Sequence, residues 1–133
     1  MKILFACIEN SCRSQIAEAL AKNISNGKID SYSAGSKPSG VVNPQAIKLL
    51  HSQGIHLKDH KSKHISEFTN IKIDYLILMG CGDECPNLVA EKRIEWDISD
   101  PKDMEEPEFL NVIENIGGKV EKLIKTIDNE HSL

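Results

Sequence analysis

The sequence has no long apolar run, no internal repeat and no excess of positive charge, and each absence excludes a class of protein. The longest apolar run is about six residues, whereas a membrane-spanning helix needs roughly 20. A net charge of −4 and a pI near 5.7 argue against a nucleic-acid-binding protein. Glu9 and Arg13 interrupt the first apolar run at once, and no small-residue cleavage site follows. We therefore expect a cytoplasmic protein with no signal peptide and no membrane partner.

The composition predicts one globular domain that spans residues 1–133. A hydrophobic fraction of 40% and a charged fraction of 27% are ordinary for such a protein, and the length suits a single core. We expect this domain to act as a monomer. Four cysteines in a cytoplasmic chain indicate catalysis, redox chemistry or metal binding rather than structural disulfides.

Segments with strand and helix periods alternate along the chain. Strand patterns occupy residues 2–6, 29–34, 73–79 and 94–96. Helix patterns occupy residues 14–26, 43–54 and 109–127. The alternation predicts an α/β fold, a three-layer sandwich with a central four-stranded parallel sheet in which the third strand is central.

The helix patterns also predict which side chains are buried. In the first two helices the apolar face carries Ile16, Leu20, Ile24, Ile47 and Leu50. The last helix contains Gly117 and Gly118, each of which costs about 1 kcal/mol relative to alanine, so a bend there is an open alternative.

The most informative motif lies between the first strand and the first helix. It consists of Cys7, Ile8, Glu9, Asn10, Ser11, Cys12, Arg13 and Ser14. In such a turn, backbone N–H groups and the positive end of the helix dipole can bind a tetrahedral oxyanion, and Arg13 adds a planar fork of donors. The same field stabilises the Cys7 thiolate, which is the nucleophilic form. Arsenate, phosphate and sulfate all suit this oxyanion-binding loop.

Three further side chains follow strands at the same predicted edge of the sheet. Cys81 and Cys85 come after the third strand, and Asp100 comes after the fourth. Ligands of parallel sheets bind beyond the carboxyl ends of the strands, so we expect these residues to converge on Cys7. Asp100 suits the general acid that protonates a departing oxygen, and the alternative is an aspartate that only forms a turn before Pro101.

Other residues of the loop are expected to support the thiolate. Ser14 would hydrogen-bond to Cys7, with a plain helix N-cap as the alternative. Asn10 would brace the loop through its side chain, with turn preference as the alternative. Cys12 is expected to be a spectator.

A zinc site would have to combine Cys7, Cys12, Cys81 and Cys85. Neither Cys-x4-Cys nor Cys-x3-Cys is the usual spacing of a structural zinc site, and Arg13 would place a positive charge beside the metal. We therefore expect no metal and no cofactor.

The motif and its distant aspartate carry a family resemblance that covers essentially the whole chain. Cys7-x5-Arg13-Ser14, with Asp100-Pro101 about ninety residues later, resembles the low-molecular-weight protein tyrosine phosphatase fold. A longer set is similar to the thiol-coupled arsenate reductases built on that fold: Asn10 to Gln15, Ala17-Glu18, Ser33 to Gly35, Val42 to Pro44, Cys81 and Cys85-Pro86. The cysteine pair is the specific element, because a phosphatase needs one nucleophilic cysteine and a reductase needs two more.

The resemblance implies a thiol relay. Cys7 attacks arsenate while Arg13 and the loop amides hold its oxygens, and Asp100 protonates the leaving hydroxyl. Cys81 then attacks the adduct, which releases arsenite and leaves a Cys7–Cys81 disulfide. Cys85 next attacks Cys81, and an external thiol protein reduces the Cys81–Cys85 disulfide. Thioredoxin is the expected reductant, because an internal disulfide suits a dithiol donor, and glutaredoxin or a small thiol are the alternatives.

Two other functions stay open at this point. One is a tyrosine phosphatase of the same fold, although such enzymes place aromatic side chains after the Asp-Pro, where this chain has Lys102-Asp103-Met104. The other is a non-enzymatic thiol sensor or binding module.

The resemblance also bears on a cation site behind the loop. In some potassium-binding members of the family, residues matching Asn10, Glu18 and Ser33 surround the ion. Lys63 stands where a further aspartate is expected. We therefore expect the Lys63 ammonium to take the place of the cation and to neutralise Glu18.

Overall fold

A computed structural model of the protein describes residues 1–57, 60–80 and 88–131. Four strands form one parallel sheet in the order β2-β1-β3-β4: β1 (Lys2–Cys7), β2 (Asp30–Gly35), β3 (Ile73–Leu78) and β4 (Ala90–Glu95). The α-helices are α1 (Arg13–Ile24), α2 (Pro44–Ser52) and α3 (Glu106–His131), and a 3₁₀ helix spans Ile65–Phe68. The predicted α/β fold with a four-stranded parallel sheet flanked by helices is confirmed.

Strand β1 is apolar from Ile3 onward because the sheet is covered on both faces. Ile3 and Phe5 pack in the larger core with residues of all three α-helices, whereas Leu4 and Ala6 pack in a second core with Phe68 of the 3₁₀ helix. Alternating side chains of a strand point to opposite faces, so a strand buried on both faces has an unbroken apolar run.

The helix ends follow from local chemistry. Asn43 caps α2, because its Oδ1 accepts hydrogen bonds from the N–H groups of Gln45 and Ala46, and Pro44 occupies the first helical position. Helix α1 ends before Gly27, whose φ of 78° is the left-handed conformation typical of a helix C-terminus. Helix α3 is assigned without interruption through Gly117 and Gly118.

The predicted buried faces of α1 and α2 were each wrong at one residue. Ile24 and Ile47 are 36% and 41% exposed. Ile24 is the last residue of α1, where the helix leaves the core. In α2 the predicted Leu50 is buried, and Ala46 and Leu49 complete the buried face in place of Ile47.

The predicted fourth strand was too short. The sequence indicated residues 94–96, whereas β4 covers Ala90–Glu95. Most side chains of β4 are exposed and charged, because it is an edge strand of the sheet. Charges on an edge strand discourage pairing with other chains. They also remove the apolar alternation by which a strand is predicted from sequence.

The strand ends that matter for the site lie together. Cys7 at the end of β1 pairs in register with Gly35 at the end of β2, and Met79 after β3 donates its N–H to the carbonyl of Ala6. No helix in the described ranges is long and apolar enough to cross a membrane.

Candidate active site

Cys7 lies at the centre of the site, at the junction of β1 and the loop that leads into α1. Its side chain is buried. The Sγ atom is 2.8 Å from the Ser14 Oγ and accepts the backbone N–H of Asn10 at 3.2 Å. These two contacts fix the position of the Cys7 sulfur inside the loop. The predicted contact between Ser14 and Cys7 is thus present, and Ser14 lies inside the first turn of α1 rather than at its N-cap.

Asn10 braces the loop, as predicted. Its φ of 50° places it in the left-handed region, which asparagine tolerates better than most residues. Its Nδ2 donates to the Ser14 Oγ at 2.8 Å, and its Oδ1 accepts from the Gln15 Nε2 at 3.0 Å and the Lys63 N–H at 2.9 Å. One buried side chain therefore connects the loop, α1 and the segment that precedes the 3₁₀ helix.

A segment after β2 fixes the orientation of the loop backbone. Its N–H groups bond to loop carbonyls, in the pairs Ser36 to Cys7, Lys37 to Ile8, Ser39 to Glu9 and Asn43 to Ser11. These bonds occupy the carbonyl oxygens and so leave the opposite, N–H side of the turn for an anion. Gly35 is required beside this contact, because a Cβ there would overlap the carbonyl oxygen of Ile8.

The N-terminus of α1 adds to the anion site. Within the described part of the chain, the N-cap residue Cys12 makes no side-chain capping bond. The first N–H groups of an α-helix have no intrahelical partner and carry a partial positive charge. An anion at Cys7 would supply the missing acceptor.

Arg13 is held from two directions. Its Nη1 donates to the carbonyl of Ile98 at 3.3 Å, and its Nη2 lies 3.8 Å from the Asp100 Oδ2. Gly80, with a φ of 80°, lies against the guanidinium, since a Cβ at Gly80 would overlap the Nη1 atom. The tertiary structure therefore brings Asp100 to the loop across 87 positions of sequence, as the sheet-edge argument predicted.

These residues enclose a small pocket. Its volume is about 10 Å³, roughly the room of one water molecule. The pocket is lined by Cys7, Glu9, Ser11, Cys12, Arg13, Asp100 and Lys102. Lys102 is a residue that sequence reasoning mentioned only as a non-aromatic neighbour of the Asp-Pro turn, and no motif assigns it to the pocket.

Cys12 differs sharply from Cys7 although both lie in one loop. Burial, with a further contribution from the negative charge of Asp100, raises the pKa of Cys12 to about 12. The thiol therefore keeps its proton at neutral pH, as expected of a spectator. Both Cys7 and Cys12 are free thiols in the structure.

A charged cluster lies behind the loop around Glu18. The Glu18 carboxylate accepts hydrogen bonds from the Lys22 Nζ at 2.8 Å and the Ser33 Oγ at 2.5 Å, and the Lys63 Nζ lies 3.9 Å away. Burial lowers the pKa of Lys63, and the charge of Glu18 opposes that change. The predicted ion pair between Lys63 and Glu18 is present. Across the described residues, no group of three or more histidine, cysteine, aspartate or glutamate side chains could hold a metal ion.

Gln15 and His60 are the residues of this region that sequence reasoning missed. The Gln15 Nε2 donates to the Lys61 carbonyl at 2.8 Å, and its Oε1 lies 3.0 Å from the His60 Nδ1. The His60 Nε2 is in turn 3.5 Å from the Glu18 Oε2. Gln15 belongs to the motif that carries the family resemblance, but nothing in the sequence assigned it these contacts or indicated His60.

The two predicted relay cysteines, Cys81 and Cys85, lie outside the described residues. Their place in the site therefore stays a prediction.

These features define an α/β protein that holds a buried cysteine thiol and an arginine in one small pocket at a helix N-terminus. A family model of the low molecular weight phosphotyrosine protein phosphatases matches residues 2–133, and the chain belongs to this family.

Comparison with known proteins places reductases among its relatives. The chain is 37% identical to arsenate reductase 1 of Bacillus cereus, over 93% of this chain and 94% of the relative. It is 36% identical to a glutaredoxin arsenate reductase of Synechocystis sp., over 95% and 98%. Its fold matches the structure of a thioredoxin-dependent arsenate reductase of Corynebacterium glutamicum with a TM-score of 0.83 and 31% identity, covering 98% of this chain and 63% of that longer chain. The predicted resemblance to arsenate reductases of the phosphatase fold is confirmed.

Proposed function

We propose that this protein is an arsenate reductase, which converts arsenate to arsenite for arsenic detoxification, and that Cys7, Cys81 and Cys85 pass the electrons. The structural observation that carries the proposal is the Cys7 sulfur, held by Ser14 and by the N–H of Asn10 in a pocket with Arg13. The similarity to named arsenate reductases over nearly the whole chain selects arsenate among the oxyanions.

The first step follows from the pocket. The Cys7 thiolate attacks arsenic, Arg13 and the N–H groups of the loop hold the oxygens, and Asp100 passes a proton from solvent to the departing hydroxyl, which leaves as water. The Asp100 carboxyl lies close to Arg13. Its side chain is 42% exposed, so a proton from solvent can reach it. The product is a Cys7–arsenic(V) adduct.

The second step reduces arsenic. The Cys81 thiolate attacks the Cys7 sulfur, a Cys7–Cys81 disulfide forms, and the electron pair of the S–As bond passes to arsenic, which leaves as arsenite. Cys85 then attacks Cys81 and frees the Cys7 thiolate. Two electrons leave the thiols and arsenic accepts two, so the cycle balances once a dithiol donor reduces the Cys81–Cys85 disulfide.

The chain connectivity supports this relay. Gly80, which precedes Cys81 in the sequence, lies against the Arg13 guanidinium. We take thioredoxin as the donor, and because one relative is named a glutaredoxin arsenate reductase, glutaredoxin is the second donor to test. A cytoplasmic monomer fits this chemistry, since thiols stay reduced in that compartment.

A phosphatase side activity is the second candidate function. The attack of Cys7 on a phosphorus centre would use the same pocket, and the family includes phosphotyrosine protein phosphatases. Such activity would need neither Cys81 nor Cys85.

The deciding experiment measures arsenate-dependent turnover with thioredoxin, with glutaredoxin and with a small thiol. Cys81→Ser should abolish arsenite release while p-nitrophenyl phosphate hydrolysis persists. Cys85→Ser should release arsenite in a single turnover and accumulate a Cys7–Cys81 disulfide, which peptide mass spectrometry identifies. Unchanged turnover in both variants would contradict the relay.

The role of Asp100 has a matched control in the same turn. Asp100→Asn should lower the rate of the first step by about 10²–10⁴-fold, the usual contribution of a general acid. Asp103→Asn changes an exposed carboxylate three positions away and should keep the rate. Equal rates for the two variants would remove Asp100 from the mechanism.

A further inference from the structure

An ion pair crosses the candidate active site. The Lys102 Nζ lies 3.0 Å from the Glu9 Oε2, and both side chains line the pocket that contains Cys7. Glu9 belongs to the loop after β1, and Lys102 belongs to the turn after Asp100, so the pair joins segments 93 positions apart.

Lys102 also holds the turn that carries the candidate acid. Its backbone N–H donates to the Asp100 Oδ1 at 3.1 Å, while its ammonium binds Glu9. The hydrogen bond and the negative charge of Glu9 raise the pKa of Lys102 above its usual value, so Lys102 stays charged at neutral pH.

The pair lies at the open side of the pocket. Cys7, Cys12 and Arg13 are buried, whereas the side chains of Glu9 and Lys102 are 37% and 50% exposed. Together with Asp100, which is 42% exposed, these two side chains form the mouth of the pocket.

We propose that the Glu9–Lys102 ion pair restricts the site to inorganic oxyanions and disfavours phosphate monoesters. This inference rests on the proposed function and names the substrate class of the same site. An inorganic oxyanion lies wholly inside the mouth, so the pair can close over it. The organic group of an ester must leave through the mouth, and Glu9 and Lys102 must then separate.

Charge alone predicts a different result. Glu9 carries a negative charge beside an anion site, and Lys102 neutralises it. Loss of Lys102 would expose that charge and weaken the binding of every dianion alike. The ratio between an ester and an inorganic oxyanion therefore isolates the effect of the mouth.

The test compares wild type with Lys102→Met. Both proteins carry Cys81→Ser in this assay, so that the relay cannot run. Protection of Cys7 from iodoacetamide, read by peptide mass spectrometry, then gives the affinities for arsenate and for phenyl phosphate without any reductant. The ratio of phenyl phosphate to arsenate affinity should rise about two- to fivefold in Lys102→Met, the range that an exposed ion pair supports. The kcat/KM for p-nitrophenyl phosphate, relative to the arsenate affinity, should rise by the same factor.

Lys92→Met is the matched control. Lys92 pairs with Glu130 at the same 3.0 Å, with exposures of 50% and 41%, and neither residue lines the pocket. The ratio of phenyl phosphate to arsenate affinity should stay at the wild-type value in Lys92→Met. An unchanged ratio in Lys102→Met would overturn the proposal.

A double variant separates geometry from charge. Glu9→Gln/Lys102→Met removes both charges, and the raised ratio should persist because the pair is still absent. A return to the wild-type ratio would show that loss of the ion pair does not by itself favour the ester, and would overturn the proposal. Failure of arsenate turnover in wild type would instead refute the proposed function, because the protection assay needs no turnover.

Discussion

Cys7 and Cys12 show how two identical side chains in one loop acquire different chemistry. The Cys7 Sγ lies 2.8 Å from the Ser14 Oγ and accepts the N–H of Asn10, whereas Cys12 is buried and faces the negative charge of Asp100. The contacts of Cys7 orient its sulfur in the loop, and the environment of Cys12 keeps its thiol protonated. The sequence separated the two cysteines by motif, because Cys7 stands in Cys-x5-Arg, but it did not show that Cys12 faces Asp100.

The raised pKa of Cys12 gives a testable prediction. From a pKa of 9.0 to one of about 12 is three units, so the folded protein at pH 8 should hold about 1,000-fold less Cys12 thiolate than the unfolded chain. Alkylation of Cys12 by iodoacetamide at pH 8 should therefore be slower in the native protein than in urea by a large factor. Equal rates in the two states would contradict the assignment.

The same shift fixes the sign of a pH effect on stability. Below pH 9 Cys12 is protonated in both the folded and the unfolded chain. The folded state favours this protonated thiol over the thiolate. Between pH 9 and about 12 only the unfolded chain loses the Cys12 proton, so the contribution of Cys12 to stability falls as pH rises through this window.

At the scale of elements, α3 accommodates two glycines that suggested a bend. A Cβ at Gly117 would lie 3.7 Å from the Leu20 Cδ1 of α1, an ordinary contact, and a Cβ at Gly118 would meet nothing within 4 Å. Packing against α1 supports the helix through these positions, since helix–helix contacts contribute more to helix stability than local propensity does.

Gly118→Ala should therefore stabilise the protein. Alanine removes the entropic cost of a helical glycine, so the free energy of unfolding should rise by about 0.5–1 kcal/mol and the Tm by about 2–4 °C. Gly54→Ala is the control, because the space there is equally open but φ is 81°, and it should lower the Tm. A lower Tm for Gly118→Ala in thermal denaturation would refute the expectation.

At the scale of the whole molecule, the anion site joins elements that are distant in sequence. The loop after β1, the segment after β2, the end of β3 and the turn after β4 all contribute contacts to it. A bound oxyanion would add bonds that the unfolded chain lacks, so binding should stabilise the entire fold.

Arsenate or phosphate should accordingly raise the Tm of the wild-type protein. At a ligand concentration 100 times the Kd the gain is about 2.7 kcal/mol. Arg13→Lys keeps the positive charge but loses the planar fork, and most of the shift should disappear. The measurement is thermal denaturation with sodium chloride at matched ionic strength as the control, and an equal shift with chloride would exclude specific binding.

The sequence by itself determined the fold class, the oxyanion-binding loop from Cys7 to Ser14, and the position of Asp100 near Cys7 at one edge of the sheet. Periodicity and turn residues act locally, and a parallel sheet places the ends of its strands at one edge. Only the tertiary structure decided the exposed face of Ile47, the extent of β4 and the presence of Lys102 at the mouth of the pocket. These features depend on which neighbours cover a side chain, and contacts between segments 93 positions apart leave no periodic signal in the sequence.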